Sequence, residues 1–177
     1  YNALQIYALF ANEIGYSGKT FVNLAEKAKN AFRKYFINDK GYLNDVIMPD
    51  GYVDDSIRPN QVYAISLPFE LLSDKEAKSV LSIVDQYLYT DLGLRSLNPA
   101  HPDFKPNYGG DQWQRDTAYH QGTVWAFLWG EYALAYLKTH NYSAKAKKEI
   151  QSRMSALKQH FYEDNCLHGI SEIFDGL

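Results

Sequence analysis

The densest cluster of chemically useful side chains lies in residues 109–130, GGDQWQRDTAYHQGTVWAFLWG. Within this stretch, flat aromatic rings alternate with hydrogen-bonding groups; the residues are Trp113, Arg115, Asp116, Tyr119, His120, Gln121 and Trp125. Aromatic rings stack on the apolar C–H faces of a sugar, while planar polar groups hydrogen-bond its equatorial hydroxyls. The stretch therefore predicts a carbohydrate-binding surface.

A second polar stretch lies where a loop gives way to a predicted helix, in residues 54–69, DDSIRPNQVYAISLPF. Its hydrogen-bonding side chains are Arg58, Asn60 and Gln61. A guanidinium and two amides are well shaped to hold neutral hydroxyls, either directly or through water. The open alternative is structural: Arg58 pairs with Asp54 or Asp55 and only fixes the loop.

A third stretch, SEIFDGL over residues 171–177, places Glu172 after a helix and just before an Asp-Gly turn at Asp175. A single glutamate in a loop is usually solvated surface. Its interest comes from its predicted position, because its loop falls at the same end of the fold as the other two stretches. Glu172 and Asp175 are therefore candidate site residues.

Metal and thiol chemistry find little support in the sequence. The five histidines show no ligand spacing such as H-x-x-x-H, so neither a metal nor a cofactor is predicted. A lone histidine such as His120 is more often a hydrogen-bonded structural residue than a catalyst. Cys166 is the only cysteine, which fits a reducing compartment and favours a small buried side chain over a catalytic thiol.

The composition is that of a folded globular chain without a strong charge bias. Of the 177 residues, 46% are hydrophobic and 22% are charged, and the net charge is −3. A chain without a basic face is a poor partner for nucleic acid or anionic membranes. No run approaches the roughly 18 apolar residues of a membrane span. The chain has 15 Tyr, 9 Phe and 3 Trp, which suits either a stacking surface or packing between helices.

Helical periodicity runs through most of the chain and must position these residues. The predicted helices cover about 3–14, 19–36, 60–71, 74–89, 121–139 and 144–162. Between them, 38–59 and 90–120 are rich in Gly, Asp, Asn and Pro and are predicted to be long loops, the first with a short strand near 41–47. Six helices in three antiparallel pairs make an all-α fold whose polar and aromatic loops lie at one common end.

Residues typical of helix ends support these limits. Gly15 follows the first helix, and Ser17 and Ser143 precede two others as N-caps. Ser73 and Glu76 have the spacing of a capping box, which predicts a helix beginning at about residue 74.

Three motifs in this order and spacing, RPNQ...AISLPF, GG....RDTAYHQGTVW and SEIFDG, resemble the C-terminal amylo-α-1,6-glucosidase domain of glycogen debranching enzymes. The resemblance covers nearly the whole chain, from YNAL to FDG. It implies an α/α toroid of six helical hairpins, of which residues 1–177 would hold about three. It also implies cytoplasmic hydrolysis, with inversion, of the α-1,6-linked glucose at a branch point of glycogen or limit dextrin.

The resemblance further implies residue roles. Glu172 matches the family's general base, and the general acid is an Asp upstream of the helix with which this chain begins. We therefore expect a domain cut at both ends, with one carboxylate kept, one lost and the isolated 177 residues inactive. Arg58, Asp116, His120 and Trp125 are expected to hold the terminal glucose. Two positions depart from the family pattern, with Ala126 where Pro is common and Gln121 where Asn is common.

Two other interpretations stay open at this point. The first is another six-hairpin glycosidase, acting on trehalose or on a glucan. The second is a noncatalytic helical module that binds glycan or protein and has no use for a carboxylate at position 172. A partial toroid is also expected to leave apolar helix faces without neighbours, and a dimer could form through them.

Overall fold

The computed structural model describes residues 1–164 and 168–177, so Cys166 lies outside the described residues. Its α-helices are α1 (Asn2–Glu13), α2 (Lys19–Tyr35), α3 (Tyr63–Ser66), α4 (Asp74–Tyr87), α5 (Gln112–Ala118), α6 (Leu128–Thr139), α7 (Ala144–Arg153) and α8 (Ser155–Glu163). Its strands are β1 (Val46–Ile47), β2 (Val53–Asp54), β3 (Tyr89–Thr90), β4 (Gly93–Arg95), β5 (Val124–Trp125) and β6 (Ile173–Phe174). A 3₁₀ helix over Pro59–Val62 leads directly into α3.

Two small antiparallel sheets accompany the helices. β1 and β2 form a hairpin in which Val46 pairs with Asp54. The second sheet has four strands in the order β3-β4-β5-β6, and each neighbouring pair is antiparallel. The prediction of a helix-rich fold is confirmed, although the four-stranded sheet was not predicted. The toroid stays a prediction.

The hydrophobic core lies where α3, α4, α6 and β4 meet. Its most deeply buried side chains are Val62, Val80, Val84, Leu88, Leu94 and Tyr132. The buried residues of α4, which are Val80, Leu81 and Val84, recur at three- and four-residue spacing, so one face of that helix is buried and the other is solvated. Each fully buried Val or Leu contributes about 1.5–3 kcal/mol to the free energy of unfolding.

Arg153, at the end of α7, ties that helix to the core. Its Nη1 donates to Asp85 Oδ1 (3.1 Å), and the Tyr132 hydroxyl donates to Asp85 while accepting from Arg153. The guanidinium lies over the rings of Tyr89 and Tyr136, 4.8 and 5.1 Å from their centroids. Burial raises the pKa of the Tyr132 hydroxyl, and its hydrogen bond to Asp85 raises it further. The tyrosine therefore stays a neutral donor.

The turn between α1 and α2 shows which residue caps the second helix. Gly15 ends α1 in the left-handed conformation (φ +84°), as predicted. The prediction of Ser17 as N-cap is wrong, because Gly18 occupies the cap position. A Cβ at Gly18 would lie 2.5 Å from the carbonyl oxygen of Ala8, so α1 and α2 approach too closely there for any side chain.

The α1–α2 hairpin joins the rest of the molecule through polar contacts and through Phe32, which packs against the core. Asn2 exchanges two hydrogen bonds with the backbone of Phe69, at 2.8 and 3.2 Å. Several apolar side chains of α1 and its C-cap are exposed; they include Tyr7, Leu9, Phe10 and Ile14. A partial toroid, and dimerisation through exposed apolar side chains, stay predictions.

The helix predicted over 60–71 ends early. Its first turn is the 3₁₀ helix, and α3 stops at Ser66. Leu67 is extended, with ψ 154°, because the ring of Pro68 excludes the helical conformation at the preceding residue.

The segment predicted as loop 90–120 followed by a helix from 121 is also different in the structure. β4 and the whole of α5 lie inside the predicted loop, and the following helix begins only at Leu128 because Val124 and Trp125 form β5. Strands of two or three residues leave no periodic signal in a sequence.

The last predicted helix, 144–162, is interrupted at Met154, which ends α7 and precedes α8. Its predicted N-cap is confirmed, since Ser143 Oγ accepts from the backbone N–H of Ala146.

The strand predicted near 41–47 corresponds to β1 and to the isolated bridge between Ile37 and Leu43. None of the described helices combines the length and the apolar character that a membrane crossing requires.

The predicted capping box at the start of α4 is confirmed, and it carries an added ion pair. Ser73 Oγ accepts from the Glu76 N–H, and the Glu76 carboxylate accepts from the Ser73 N–H. Arg33 of α2 donates to both oxygens of the same carboxylate, at 2.8 and 2.9 Å. These bonds, with Arg33 as the largest cause, lower the pKa of Glu76 from 4.5 to about 2.

We expect Glu76→Gln to lower the free energy of unfolding by about 1–2 kcal/mol at neutral pH, because a partly exposed bidentate pair and one cap bond are lost. A depressed pKa stabilises the fold above the unfolded value, and this stabilisation is lost as pH falls from 4.5 to about 2. Urea unfolding should therefore show that the free energies of unfolding of the unchanged protein and of Glu76→Gln become equal as pH falls through that range. Glu26→Gln, at an exposed position of α2, is the control. If the difference in free energy of unfolding persisted near pH 2, the stabilisation would not come from the charged Glu76 carboxylate.

Candidate active site

A pocket of about 840 Å³ lies where the loops that follow α2 and α4 meet the α5–β5 segment. Its walls combine acidic, amide, cationic and aromatic groups; they include Asp45, Arg58, Asn60, Asp116, His120, Gln121 and Trp125. We call it the aromatic pocket. Its volume falls within the usual range for small-ligand sites, about 300–1,000 Å³.

Arg58 holds this pocket together. Its Nη1 donates to the carbonyl oxygens of Ser96 (3.1 Å) and His120 (2.7 Å), and its Nη2 donates to Gln121 Oε1 (2.8 Å). Its Nε lies 3.5 Å from Asp45 Oδ2, and the two side chains are only 19% and 18% exposed. The guanidinium therefore fixes the His120–Gln121 corner and is itself held by Asp45.

The structural alternative for Arg58 named Asp54 or Asp55 as its partner, but the ion pair in the structure is with Asp45. Asp55 pairs with Lys40 instead, and Asp54 accepts from the Ser56 N–H at 2.9 Å. The β1–β2 hairpin folds back so that Asp45, thirteen positions upstream, becomes the partner of the guanidinium. Burial is the main influence on the pKa of Asp45 and raises it, while Arg58 opposes that effect.

An aromatic stack forms one wall of the pocket. The rings of His120 and Trp125 are stacked, with centroids 5.2 Å apart and planes 4° from parallel. Tyr119 meets both rings edge-on, and Trp125 Nε1 donates to the Tyr119 carbonyl at 3.2 Å. Phe127, two positions further along the chain, meets Trp125 edge-on. Flat faces and hydrogen-bonding groups lie side by side, as sugar binding requires.

The four-stranded sheet brings the third motif to this wall. β6 pairs with β5, with Trp125 opposite Ile173 and Val124 opposite Phe174. The Ala126 N–H donates to the Glu172 carbonyl at 3.4 Å. The three stretches singled out in the sequence therefore converge on residues 109–130, because Arg58 donates hydrogen bonds to His120 and Gln121 and β6 pairs with β5.

The carboxylate of Glu172 is exposed and lies beside the hydroxyl of Tyr119. The pKa of that hydroxyl is raised, first by desolvation and then by the hydrogen bond and negative charge of Glu172. Tyr108 packs against Tyr119, with ring centroids 5.5 Å apart. Glu172 therefore stands at the rim of the aromatic wall, with access to solvent water.

A close backbone approach fixes the end of this segment. Arg95 Nε donates to the Gly176 carbonyl, and the Gly176 N–H donates to the Pro106 carbonyl, both at 2.6 Å. A Cβ at Gly176 would lie 2.3 Å from the carbonyl oxygen of Gly122, so only glycine fits at this position. The turn that follows Glu172 is thus held by contacts with both neighbouring loops.

Several predicted binding residues make internal contacts in the structure. Gln61 is 7% exposed, and its amide donates to the Arg58 carbonyl (2.9 Å) and accepts from the Leu43 N–H (3.4 Å). Asp175 accepts from the Tyr108 N–H at 2.9 Å and from Asn107. Both side chains shape loops, and direct contact with a ligand stays a prediction for them.

The two predicted residues on α5 that do not line the aromatic pocket are Trp113 and Arg115. Trp113 is 76% exposed and borders a shallow groove on the outer side of α5. Arg115 Nη1 donates to the Gly110 carbonyl at the start of that helix. Asp116, which lies on the same helix, does face the pocket.

Sequence reasoning missed Asp45, Ser96 and Lys105, which also line the aromatic pocket. Asp45 lies in a loop that was already read as rich in Asp and Asn, but no spacing distinguished it from its neighbours. Among the described residues, no group of three or more His, Cys, Asp or Glu side chains is arranged to hold a metal ion.

Comparison with known proteins shows the family to which the chain belongs. The chain is 28% identical over 126 residues to the glycogen debranching enzyme of Saccharomyces cerevisiae (strain ATCC 204508 / S288c). That alignment covers 67% of this chain but only 8% of the length of the yeast protein. The sequence model of the amylo-alpha-1,6-glucosidase family matches residues 1–177. The chain therefore belongs to the amylo-alpha-1,6-glucosidase family.

Proposed function

We propose that this chain contributes the aromatic pocket and the general base of an inverting α-1,6-glucosidase that removes single glucose units from the branch points of an α-glucan. The observation that carries the proposal is the pairing of β6 with β5, together with the hydrogen bond between the Tyr119 hydroxyl and the Glu172 carboxylate. Family membership and the similarity to a glycogen debranching enzyme support the choice of substrate. Glycogen or limit dextrin in the cytoplasm is the corresponding setting.

Under this proposal, the aromatic stack and the polar corner divide the work of binding. The outer face of the His120–Trp125 stack packs on the apolar face of the terminal glucose. Asp116, Asn60 and the corner held by Arg58 face its hydroxyls. The glucose is thereby held with its anomeric carbon toward the rim where Glu172 stands.

The chemical step is a single displacement. The Glu172 carboxylate removes a proton from a water molecule, whose oxygen attacks the anomeric carbon on the face opposite the leaving O6. A carboxylic acid on the other side gives its proton to O6, and in inverting enzymes the two carboxyls lie about 6.5–9.5 Å apart. Family resemblance assigns the acid to an Asp preceding Tyr1. Tyr119 stays protonated because its pKa is raised, so it is able to donate to Glu172 and orient it.

The product of the reaction tests the proposal in the full-length protein. We expect release of β-glucose from a dextrin that carries α-1,6-linked glucose stubs, because water enters opposite the leaving group. Proton NMR recorded during the first turnovers identifies the anomer before mutarotation. Trehalose, offered in parallel, should stay intact. Initial release of α-glucose, or cleavage of trehalose at a comparable rate, would overturn the proposal.

A further inference from the structure

His160, on α8, is a buried imidazole that the proposed chemistry does not use. Its side chain is only 6% exposed. The backbone N–H of Ser171 donates to its Nε2 at 3.1 Å. Its ring meets that of Phe174 edge-on, with centroids 4.8 Å apart. One histidine therefore contacts both the residue before Glu172 and the residue two positions after it.

The hydrogen bonds of His160 fix which of its nitrogens carries the proton. A backbone N–H can only donate, so Nε2 keeps its lone pair to accept from Ser171. The ring proton is then on Nδ1, which donates to Asp164 Oδ2 at 2.6 Å. Asp164 is the C-cap of α8, and its own N–H donates to the His160 carbonyl at 3.2 Å. Both ring nitrogens have partners, so the orientation of the imidazole is set by α8.

The backbone at Glu172 is held from two directions. Before this residue, the Ser171 N–H is tied to His160 of α8. At the residue itself, the Ala126 N–H donates to the Glu172 carbonyl at 3.4 Å, and β6 then pairs with β5. Because the Glu172 side chain is exposed, the position of its carboxylate depends on where this backbone is held.

We infer that His160 is a positioning residue for the general base: by accepting the Ser171 N–H, it fixes the backbone from which Glu172 reaches the attacking water. The inference rests on the proposed function, because it requires Glu172 to be the base. A misplacement of about 1 Å can cost about 10²-fold in rate. His160 and Ser171, both among the described residues, lie outside the walls of the aromatic pocket, so turnover should depend on them more than sugar binding does.

The test replaces His160 in the full-length protein and measures turnover of branched dextrin. We expect His160→Leu, which is apolar but has no acceptor for the Ser171 N–H, to lower kcat about 10–100-fold with KM changed less than about twofold. His160→Gln has an amide oxygen that can replace Nε2 and should recover most of the turnover. His140→Leu, at the exposed C-cap of α6, is the control and should keep both constants. Equal losses in the Leu and Gln variants of His160, or full turnover in both, would overturn the inference.

Asp164 offers a second pair of variants that does not disturb a buried position, since its side chain is 58% exposed. Asp164→Ala removes the acceptor of the Nδ1 proton, so kcat should fall about threefold. Asp164→Asn keeps an oxygen acceptor and should match the parent. Equal turnover in the two Asp164 variants would show that the orientation of the ring has no effect, and it would overturn the inference.

Hydrogen exchange supplies a readout that needs no substrate. Mass spectrometry of peptides within residues 168–177 should show faster amide exchange in His160→Leu than in the parent or in His160→Gln, because the Ser171 N–H has lost its acceptor. Unchanged exchange would overturn the inference. Full turnover in Glu172→Gln would instead defeat the proposed function. If Glu172→Gln loses turnover and His160→Leu keeps it, the positioning inference alone fails.

Discussion

Glu172→Gln is expected to lower kcat of the full-length protein on branched dextrin by about 10²–10⁴-fold, with little change in KM. Glutamine has nearly the same shape as glutamate, but its amide cannot take a proton from water. Glu172 is exposed, so the substitution leaves the free energy of unfolding unaltered within about 0.5 kcal/mol. Steady-state kinetics and urea unfolding of the same preparations measure the two effects.

A matched control isolates the role of the carboxylate. Glu13→Gln removes an exposed carboxylate from α1 and should keep kcat unchanged. A Glu172→Gln enzyme with undiminished turnover would favour the noncatalytic interpretation of this fold.

Arg58→Met is expected to lower the free energy of unfolding by about 2–4 kcal/mol and to weaken glucose binding. The change removes the cation from the largely buried carboxylate of Asp45 and takes donors from two backbone carbonyls and the Gln121 amide. The cost is somewhat below that of a fully buried pair because both side chains retain some exposure. Urea unfolding and glucose titration provide the measurements.

An exposed ion pair in the same region serves as the control for the Arg58–Asp45 contact. Lys40→Met breaks an exposed ion pair with Asp55 and should cost about 0–1 kcal/mol. Combining Arg58→Met with Asp45→Asn should destabilise less than the sum of the single changes, because the carboxylate that suffers from losing Arg58 is no longer present. Strict additivity would show that the 3.5 Å contact contributes nothing.

The helices that the sequence predicted well are those with local signals at both ends. α4 begins at a capping box whose two residues are three positions apart, and its buried face follows a regular spacing. α1 and α2 are separated by a glycine that has to be left-handed. Such signals act between neighbours, so they can be read without knowing the rest of the fold.

The four-stranded sheet and the contacts of the site depend on residues that lie far apart in the sequence. β5 pairs on one side with β4, about thirty residues away, and on the other with β6, about fifty away, yet each strand has only two or three residues. Arg58 showed the same difficulty, since its sequence neighbours Asp54 and Asp55 offered the nearer charges. Residue types therefore predicted the three converging stretches, while the contacts between them had to come from the tertiary structure.

The strands of the larger sheet pair in the order in which they occur in the chain. A nascent polypeptide that has left the ribosome as far as α7 already contains β3, β4 and β5, together with the residues that line the aromatic pocket. Glu172 and β6 emerge only afterwards and are added at the open edge beside Trp125. Under the proposed function, affinity for sugar is acquired during translation before the capacity to cleave it.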